Sequence, residues 1–254
     1  MTGSAWVVFE YWLVRYRRSW RGTVLSAFLL PVLFFLGIGV SVGSYVDSSG
    51  VLGVRYLDYI GPGLLASTAL QVAMGESSWP VLAALRWTRS YHAMRATPVG
   101  LRAILAGHIG YALLRVALAS VGFLVVMTGF GAVHSLLGLA VLPVALLVGL
   151  ATAAPVFSYA ATISNDSMFA VLYRFAVIPM TLFAGVFFPV ASMPLAARIL
   201  AYASPLWHGV ELCRAATLGT PTAWGAWVHL GYLLAWCVAG YALATWRFHR
   251  RLAD

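Results

Sequence analysis

Lysine is absent from this 254-residue chain: all 16 of its basic residues are arginine. A Walker A loop, G-x-x-x-x-G-K-[ST], needs its lysine to reach the β and γ phosphates, so this chain cannot build one. Charge of either sign is scarce, at 9% of residues against roughly a quarter in a soluble domain. No polar stretch is long enough to fold as a nucleotide-binding domain. The two cysteines, Cys213 and Cys237, lie far apart, and Cys237 sits within an apolar run. That excludes a disulfide framework. His92, His108, His134, His208, His229 and His249 are scattered without metal-ligand spacing. No metal and no cofactor is therefore expected on this chain.

What is abundant is apolar surface. Hydrophobic residues make up 62% of the chain and the mean hydropathy is +0.88. Most of the surface must face something other than water, and lipid fits. The net charge of +9 would suit nucleic acid, but the arginines fall in short clusters between long apolar runs. Membrane orientation, not nucleic-acid binding, explains that spacing. No cleavable signal peptide is expected, because the first basic cluster follows the first apolar stretch instead of preceding it.

Six apolar stretches are long enough to cross a bilayer, at about 20 residues each or more. They are 23–43, 59–79, 102–128, 135–159, 168–190 and 224–246. The runs are continuously apolar, not alternating, which predicts helices. With the N-terminus inside, inner segments carry Arg15, Arg17, Arg18, Arg21, Arg86, Arg89, Arg95, Arg102, Arg247, Arg250 and Arg251. Outer segments carry only Arg55, Arg198 and Arg214. The positive-inside rule then puts both termini in the cytoplasm. The expected fold is an all-α integral membrane protein of six transmembrane helices, forming one domain over 1–254.

Three connections carry structure of their own. Residues 5–20 read as an amphipathic helix in the inner interface, with Trp6, Phe9, Trp12 and Leu13 toward lipid and Arg17, Arg18 and Arg21 toward water or phosphate. Residues 80–102 form the longest inner loop, with a short helix expected over 81–94. Residues 189–222 are too apolar for a plain outer loop. Pro189, Pro194 and Pro205 divide them, and short helices at 195–203 and 208–218 suit a re-entrant hairpin.

Intramembrane charge marks function by default. Arg115 lies near the middle of the third stretch, where it either contacts an anionic substrate group or pairs with carbonyls or an acid inside the bundle. Glu76, near the inner end of the second, either pairs with Arg17, Arg18 or Arg86 or serves a proton relay. Arg174 can snorkel to the inner interface. Gly39-Val40-Ser41 and Gly75-Glu76-Ser77 give G-x-S, and His229 stands near the last stretch, as an intramembrane serine protease of the rhomboid type would require. Neither serine is followed by glycine, and small residues that let helices pack closely explain both. Gly39 and Gly43 form one such small-residue pair. Pro31, Pro62, Pro143, Pro155 and Pro179 would kink their helices.

One long composite run is more specific. Phe183-Ala-Gly-Val-Phe-Phe-Pro-Val190 is followed by Met193-Pro194 and then by Ser204-Pro-Leu-Trp-His-Gly-Val-Glu-Leu-Cys-Arg214. This order resembles the ABC-2 type permeases, in particular their NodJ- and DrrB-like branch, over nearly the whole chain. Tyr59-Ile-Gly-Pro-Gly-Leu is similar to the start of that family's second span. Tyr91 to Val99, with Met94, Thr97 and Pro98, is similar to its inner loop. The all-arginine composition departs from relatives that mix lysine and arginine.

The resemblance implies a permease subunit that pairs with a second copy or a close homologue and binds two copies of an ABC ATPase, which carry the ATP and Mg. It implies an exporter of an amphipathic, lipid-like or drug-like substrate in a bacterial inner membrane, with no catalysis by this chain itself. Residues 1–22, with Trp12, Arg17, Arg18 and Arg21, would be an elbow helix. Residues 80–102, with Arg86, Arg89, Tyr91, Met94, Arg95, Thr97 and Pro98, would couple to the ATPase. Residues 189–222 would cap the outer end of the path, and Phe34, Phe35, Met180, Phe183, Phe187 and Phe188 would line it. The rival expectations are a secondary transporter, for which Glu76 is the only intramembrane acid, and a membrane assembly protein without ATPase.

Overall fold

A computed structural model describes residues 2–50 and 52–253, and among them every regular element is a helix. The chain opens with α1 (Thr2–Tyr16) and turns at 17–19, where the Ser19 hydroxyl donates to the Tyr16 carbonyl. It then runs through α2 (Trp20–Phe34), a π-helical turn (Phe35–Val40) and α3 (Ser41–Ser49). The single helix expected over 5–20 therefore ends earlier. Its buried stripe is Val8, Trp12 and Tyr16, one residue per turn, laid against a later helix rather than toward lipid. Trp12, expected to face lipid, is 3% exposed, while Trp6, Val7, Tyr11 and Val14 face outward.

Next come α4 (Tyr56–Ser77), α5 (Trp79–Arg86), α6 (Ser90–Arg95) and α7 (Leu101–Gly129). The loop between α4 and α7 holds two short helices where one was expected over 81–94. α5 ends because the Trp87 and Thr88 amides both donate to the Ala83 carbonyl, and Arg89 then adopts a left-handed backbone at φ 49°. α1 lies directly on α7: a Cβ at Gly107 would stand 2.6 Å from the Ala5 carbonyl oxygen. Glycine is what permits that approach.

A 3-10 turn (Leu136–Ala140) leads into α8 (Val141–Thr162). Then α9 (Ser167–Leu172), a π-helical turn (Tyr173–Val177) and α10 (Ile178–Phe183) form one apolar helix. The stretch expected to span 168–190 stops being helical at Phe183, because Gly185 takes φ 73° and turns the chain. α11 (Leu195–Ala203), α12 (Pro205–Leu218) and α13 (Ala226–Ala253) complete the fold. The two short helices expected in the outer segment are α11 and α12. The Ser204 hydroxyl caps α12 by accepting from the Leu206 amide.

Among the described residues four helices are long and apolar enough to cross a membrane: Trp20–Gly39, Leu101–Gly129, Leu136–Thr162 and Ala226–Leu252. α4 has the length, at 22 residues, but carries Asp58, Gln71 and Glu76 along with several hydroxyls. It tolerates them because it runs through the centre of the bundle, packed by α7, α8 and α12 and buried along most of its length. Around it, α8 packs on α13 and α1 on α7. α2 and the helix from Ser167 to Phe183 remain outside this block. Val24, Leu25, Phe28, Leu29, Leu30, Leu33, Val171, Phe175, Ile178 and Leu182 expose their side chains there.

Candidate functional site

At the end of α10 the chain turns at Gly185, and three separate segments hold it. The Gly185 carbonyl accepts from Arg214 Nη2 at 2.7 Å and from the Tyr59 hydroxyl at 3.4 Å. The Arg214 guanidinium lies 3.9 Å from the Tyr59 ring centroid and bonds Glu211 at 2.9 Å. Val186 rests on α4 where Gly61-Pro62-Gly63 leaves room; a Cβ at Gly63 would stand 3.0 Å from Val186 Cα. Arg198 Nε donates to the Met193 carbonyl at 2.8 Å, closing the following turn. The three segments distinctive in the sequence, around Tyr59–Leu65, Phe183–Val190 and Ser204–Arg214, thus meet at one place.

The same hairpin is clasped to α13. His208 Nε2 donates to the Tyr202 carbonyl at 3.1 Å, so in the neutral pair its Nδ1 accepts from His229 Nδ1–H, 2.9 Å away. The His208 ring stacks on Tyr232 at 3.9 Å, and the Tyr232 hydroxyl donates to the Ala203 carbonyl at 2.6 Å. Trp207 and Trp224 close around both imidazoles. Near the start of α4, Asp58 accepts two bonds from Arg55 and one contact from His134 Nε2 at 2.9 Å.

At the other end of α4, Glu76 and Arg115 of α7 form an ion pair at 2.8 Å, each side chain 17% exposed. Arg115 also donates to the Tyr111 hydroxyl at 3.1 Å and lies over the Tyr16 ring at 4.8 Å. The pair therefore joins α1, α4 and α7. Glu76 meets Arg115 and not the Arg17, Arg18 or Arg86 considered from sequence.

The loop from 80 to 102 is bolted to the bundle by Tyr91. Its ring is fully buried, its hydroxyl is hydrogen-bonded to His108 Nδ1, and its edge meets Phe248 of α13 at 5.8 Å. Burial pushes its phenol well above the ordinary tyrosine range. His108 is itself fully buried, stacked on Trp12 at 3.7 Å and packed edge-on against Phe157.

The other sequence-predicted residues divide accordingly. Arg86, Arg89, Arg95, Thr97 and Pro98 are exposed and Met94 is half-buried, while Tyr91 faces inward. Arg17, Arg18 and Arg21 are exposed around the turn into α2. Phe34, Phe183 and Phe188 are exposed, and Met180 and Phe187 are half-buried. Phe35 is fully buried between Phe123 and Phe130, so it packs the bundle and lines no path. Met180 and Phe183 share a 390 Å³ cleft between α10 and α11 with Phe175 and Leu200. Phe34 does not join them.

Sequence reading missed His108 and the His208–His229 pair. Both are joined by long-range contacts that no local spacing announces.

The family described as "ABC-2 type transporter" matches residues 4–218. The chain is 29% identical over 248 residues to "Nodulation protein J" of Rhizobium leguminosarum bv. viciae, covering 95% of each chain. To the protein of the same name from Rhizobium meliloti (strain 1021) it is 28% identical over 248 residues, covering 95% of this chain and 94% of that one. These two proteins thus match it nearly end to end, and the family match includes both the turn at Gly185 and the loop from 80 to 102. The chain is a multi-pass membrane protein that belongs to the ABC-2 type transporter family.

Proposed function

We propose that this chain is the membrane-spanning permease of an exporter powered by a separate ABC ATPase, working as two six-span subunits with two ATPase copies. The spans are α2–α3, α4, α7, α8, the helix from Ser167 to Phe183, and α13. Both termini lie in the cytoplasm, α1 is the elbow helix, and α11–α12 form the outer re-entrant hairpin. ATP and Mg belong to the partner, since this chain has no lysine for a phosphate loop. The membrane is the bacterial inner membrane.

The observation that carries this reading is the unequal packing of the spans. The apolar window of α2 is 18% buried, against 56% for that of α7. The Ser167–Phe183 helix likewise leaves a row of large apolar side chains open. Two poorly packed spans beside a dense block suit a second subunit and a path between copies. Phe34, Met180, Phe183, Phe187 and Phe188 are the path-facing side chains of this arrangement. They bind an amphipathic or lipid-like substrate, because apolar surface and few charges are what they offer.

ATP closes the partner dimer, the loop from 80 to 102 moves with it, and the outward-facing arrangement releases substrate. Such coupling requires loop contacts that differ between the nucleotide-bound and free states. The test is affinity purification of the tagged chain in mild detergent with ATPase assay and subunit counting. Two soluble Walker A-bearing subunits per pair of permeases, hydrolysing ATP, is the expected result. An oligomer free of ATPase under several extraction conditions would overturn the proposal and favour a secondary transporter or an assembly protein.

A further inference from the structure

A groove of 740 Å³ opens between the starts of α8 and α13, floored by the end of α12. Pro143, Val144 and Leu147 of α8, Leu212 and Ala215 of α12 and Leu230 of α13 line it. Among the described residues none of its lining is charged. Both α8 and α13 are long and apolar enough to cross the membrane. Along α13, Trp227, Leu230, Leu234 and Val238 follow one another at helical spacing on one face, and all four are exposed. On a spanning helix that face meets lipid, and Leu230 carries it into the groove. The groove is thus continuous with the hydrocarbon around the spans. Water gains too few partners to fill it, and an empty groove would forfeit dispersion contacts along its walls.

Its polarity is confined to one end, the loop at 219–225. Gly219 and Gly225 turn that loop at φ 71° and 81°. Non-helical backbone facing lipid stays at the membrane surface rather than among acyl tails, and exposed Trp224 and Trp227 suit the same level. Thr220 and Thr222 line the groove there. Thr128, Thr152, Thr217 and Thr245 each donate to the carbonyl one turn back in their helices. The hydroxyls of Thr220 and Thr222 donate to no described residue. An apolar cleft ending in two unspent donors at interfacial depth matches a fatty-acyl ester: its tail fits the walls, and its carbonyl accepts from a threonine. A spanning helix of a second copy would cover the apolar walls too, but its carbonyls are spent within the helix and leave the threonines unmet.

We infer that this groove is a resident phospholipid site, in which one acyl chain lies on α12 between α8 and α13 and its ester carbonyl accepts from Thr220 or Thr222. The uncharged rim takes neutral and anionic headgroups alike. The groove shares no residue with the cleft of Phe175, Met180 and Phe183, so the lipid held here supports α12 and is not cargo. The inference requires only that α8 and α13 cross the membrane, and it is independent of the ATPase partner.

The test reconstitutes the full chain in phosphatidylcholine vesicles in which a small fraction of the lipid carries a diazirine near the end of one acyl chain. Adducts formed on irradiation are mapped by peptide mass spectrometry. Val144 and Leu212 line the groove but are only 8% and 6% exposed, so lipid that merely surrounds the spans does not reach them. Adducts on Val144 or Leu212 are expected besides those on Leu234 and Val238; adducts confined to the exposed row would overturn the site. Ala215→Phe fills the groove and should lower the buried adducts by about tenfold without changing those on Val238. Thr220→Val/Thr222→Val keeps the shape of an exposed loop and should lower them by roughly three- to tenfold, the worth of a hydrogen bond. Unchanged buried adducts in both variants would overturn the assignment. So would a disulfide between two copies of Ala215→Cys, which would put a second chain in the groove. A phosphatidylglycerol probe should label the same residues equally well, and labelling by one headgroup alone would overturn the uncharged rim as the determinant.

Discussion

Removing one partner of the Glu76–Arg115 pair strands a charge inside the bundle. Glu76→Gln leaves Arg115 with only the Tyr111 hydroxyl at 3.1 Å and the Tyr16 ring, and its Nε is already buried without a partner. Breaking a buried pair from one side typically costs about 3–5 kcal/mol, and an arginine at the centre of a membrane helix costs about 2.5–3.5 kcal/mol. The remaining contacts place Glu76→Gln near the lower end, at about 3 kcal/mol. Arg115→Met strands the carboxylate, which escapes part of the penalty by taking up a proton, so its cost is about 2–3 kcal/mol. In Glu76→Gln/Arg115→Met neither charge remains, and the loss falls to about 1 kcal/mol. The double variant should therefore be about 4–5 kcal/mol more stable than the two single losses predict together. The assay is reversible unfolding in mixed micelles, followed by the fluorescence of the ten tryptophans. Additivity of the single losses to within about 0.5 kcal/mol would refute the reasoning, because it would mean the partners do not sense each other.

Other contacts give shorter predictions. Tyr91→Phe keeps the ring contact with Phe248 but leaves His108 buried without its hydroxyl partner, which should cost about 1–3 kcal/mol in the same unfolding assay. Gly185→Ala places a side chain at φ 73° and a Cβ 2.9 Å from Val190 Cγ2, so it should destabilise by about 1–3 kcal/mol. Arg214→Met should free the same turn, and proteolysis between α10 and α11 should become faster. Gly107→Leu should drive α1 from α7, because the Ala5 carbonyl and Val8 occupy the space its side chain needs. Raised accessibility of a label on Trp12→Cys would report that separation.

The legible part of the fold was whatever a single stretch of sequence decides for itself. Apolar length located the helices, and proline located α11 and α12, since Pro194 and Pro205 act within a few residues. The start of the apolar stretch at 168–190 was legible, but its end was not. The residues from Ala184 to Val190 are as apolar as a helix needs, and only a tertiary bond from Arg214 fixes Gly185 in a turn. Trp12 was misplaced because an amphipathic pattern shows which residues share a face, not whether that face meets lipid or protein. The same uncertainty hid Phe35, whose neighbours Phe34 and Leu36 are exposed while it is enclosed by Phe123 and Phe130. The Glu76–Arg115 pair joins two helices across 39 positions, and no local spacing could choose between Arg115 and the loop arginines.

On the permease reading, the buried polar contacts divide the molecule into parts that keep their shape and parts that do not. α4 is pinned near its first turn by Asp58 to Arg55 and His134, and near its last by Glu76 to Arg115. α12 is pinned to the Gly185 turn and α13 to α12, each through bonds that would be costly to leave unmade in a dry interior. The packing of α2 on α7 includes close apolar contact, with Gly122 admitting Ala27. Apolar contacts slide at little cost when one apolar neighbour replaces another, whereas a broken buried ion pair does not. A nucleotide stroke arriving at the loop from 80 to 102 and passed through Tyr91 and His108 would therefore move the pinned block as one body. The rearrangement would fall on α2 and the Ser167–Phe183 helix, where the aromatic side chains of the proposed path are already open. Cross-linking α2 to α7 through Ala27→Cys and Gly122→Cys should then leave ATP hydrolysis intact and abolish export. Undiminished export from the cross-linked protein would place the moving boundary elsewhere.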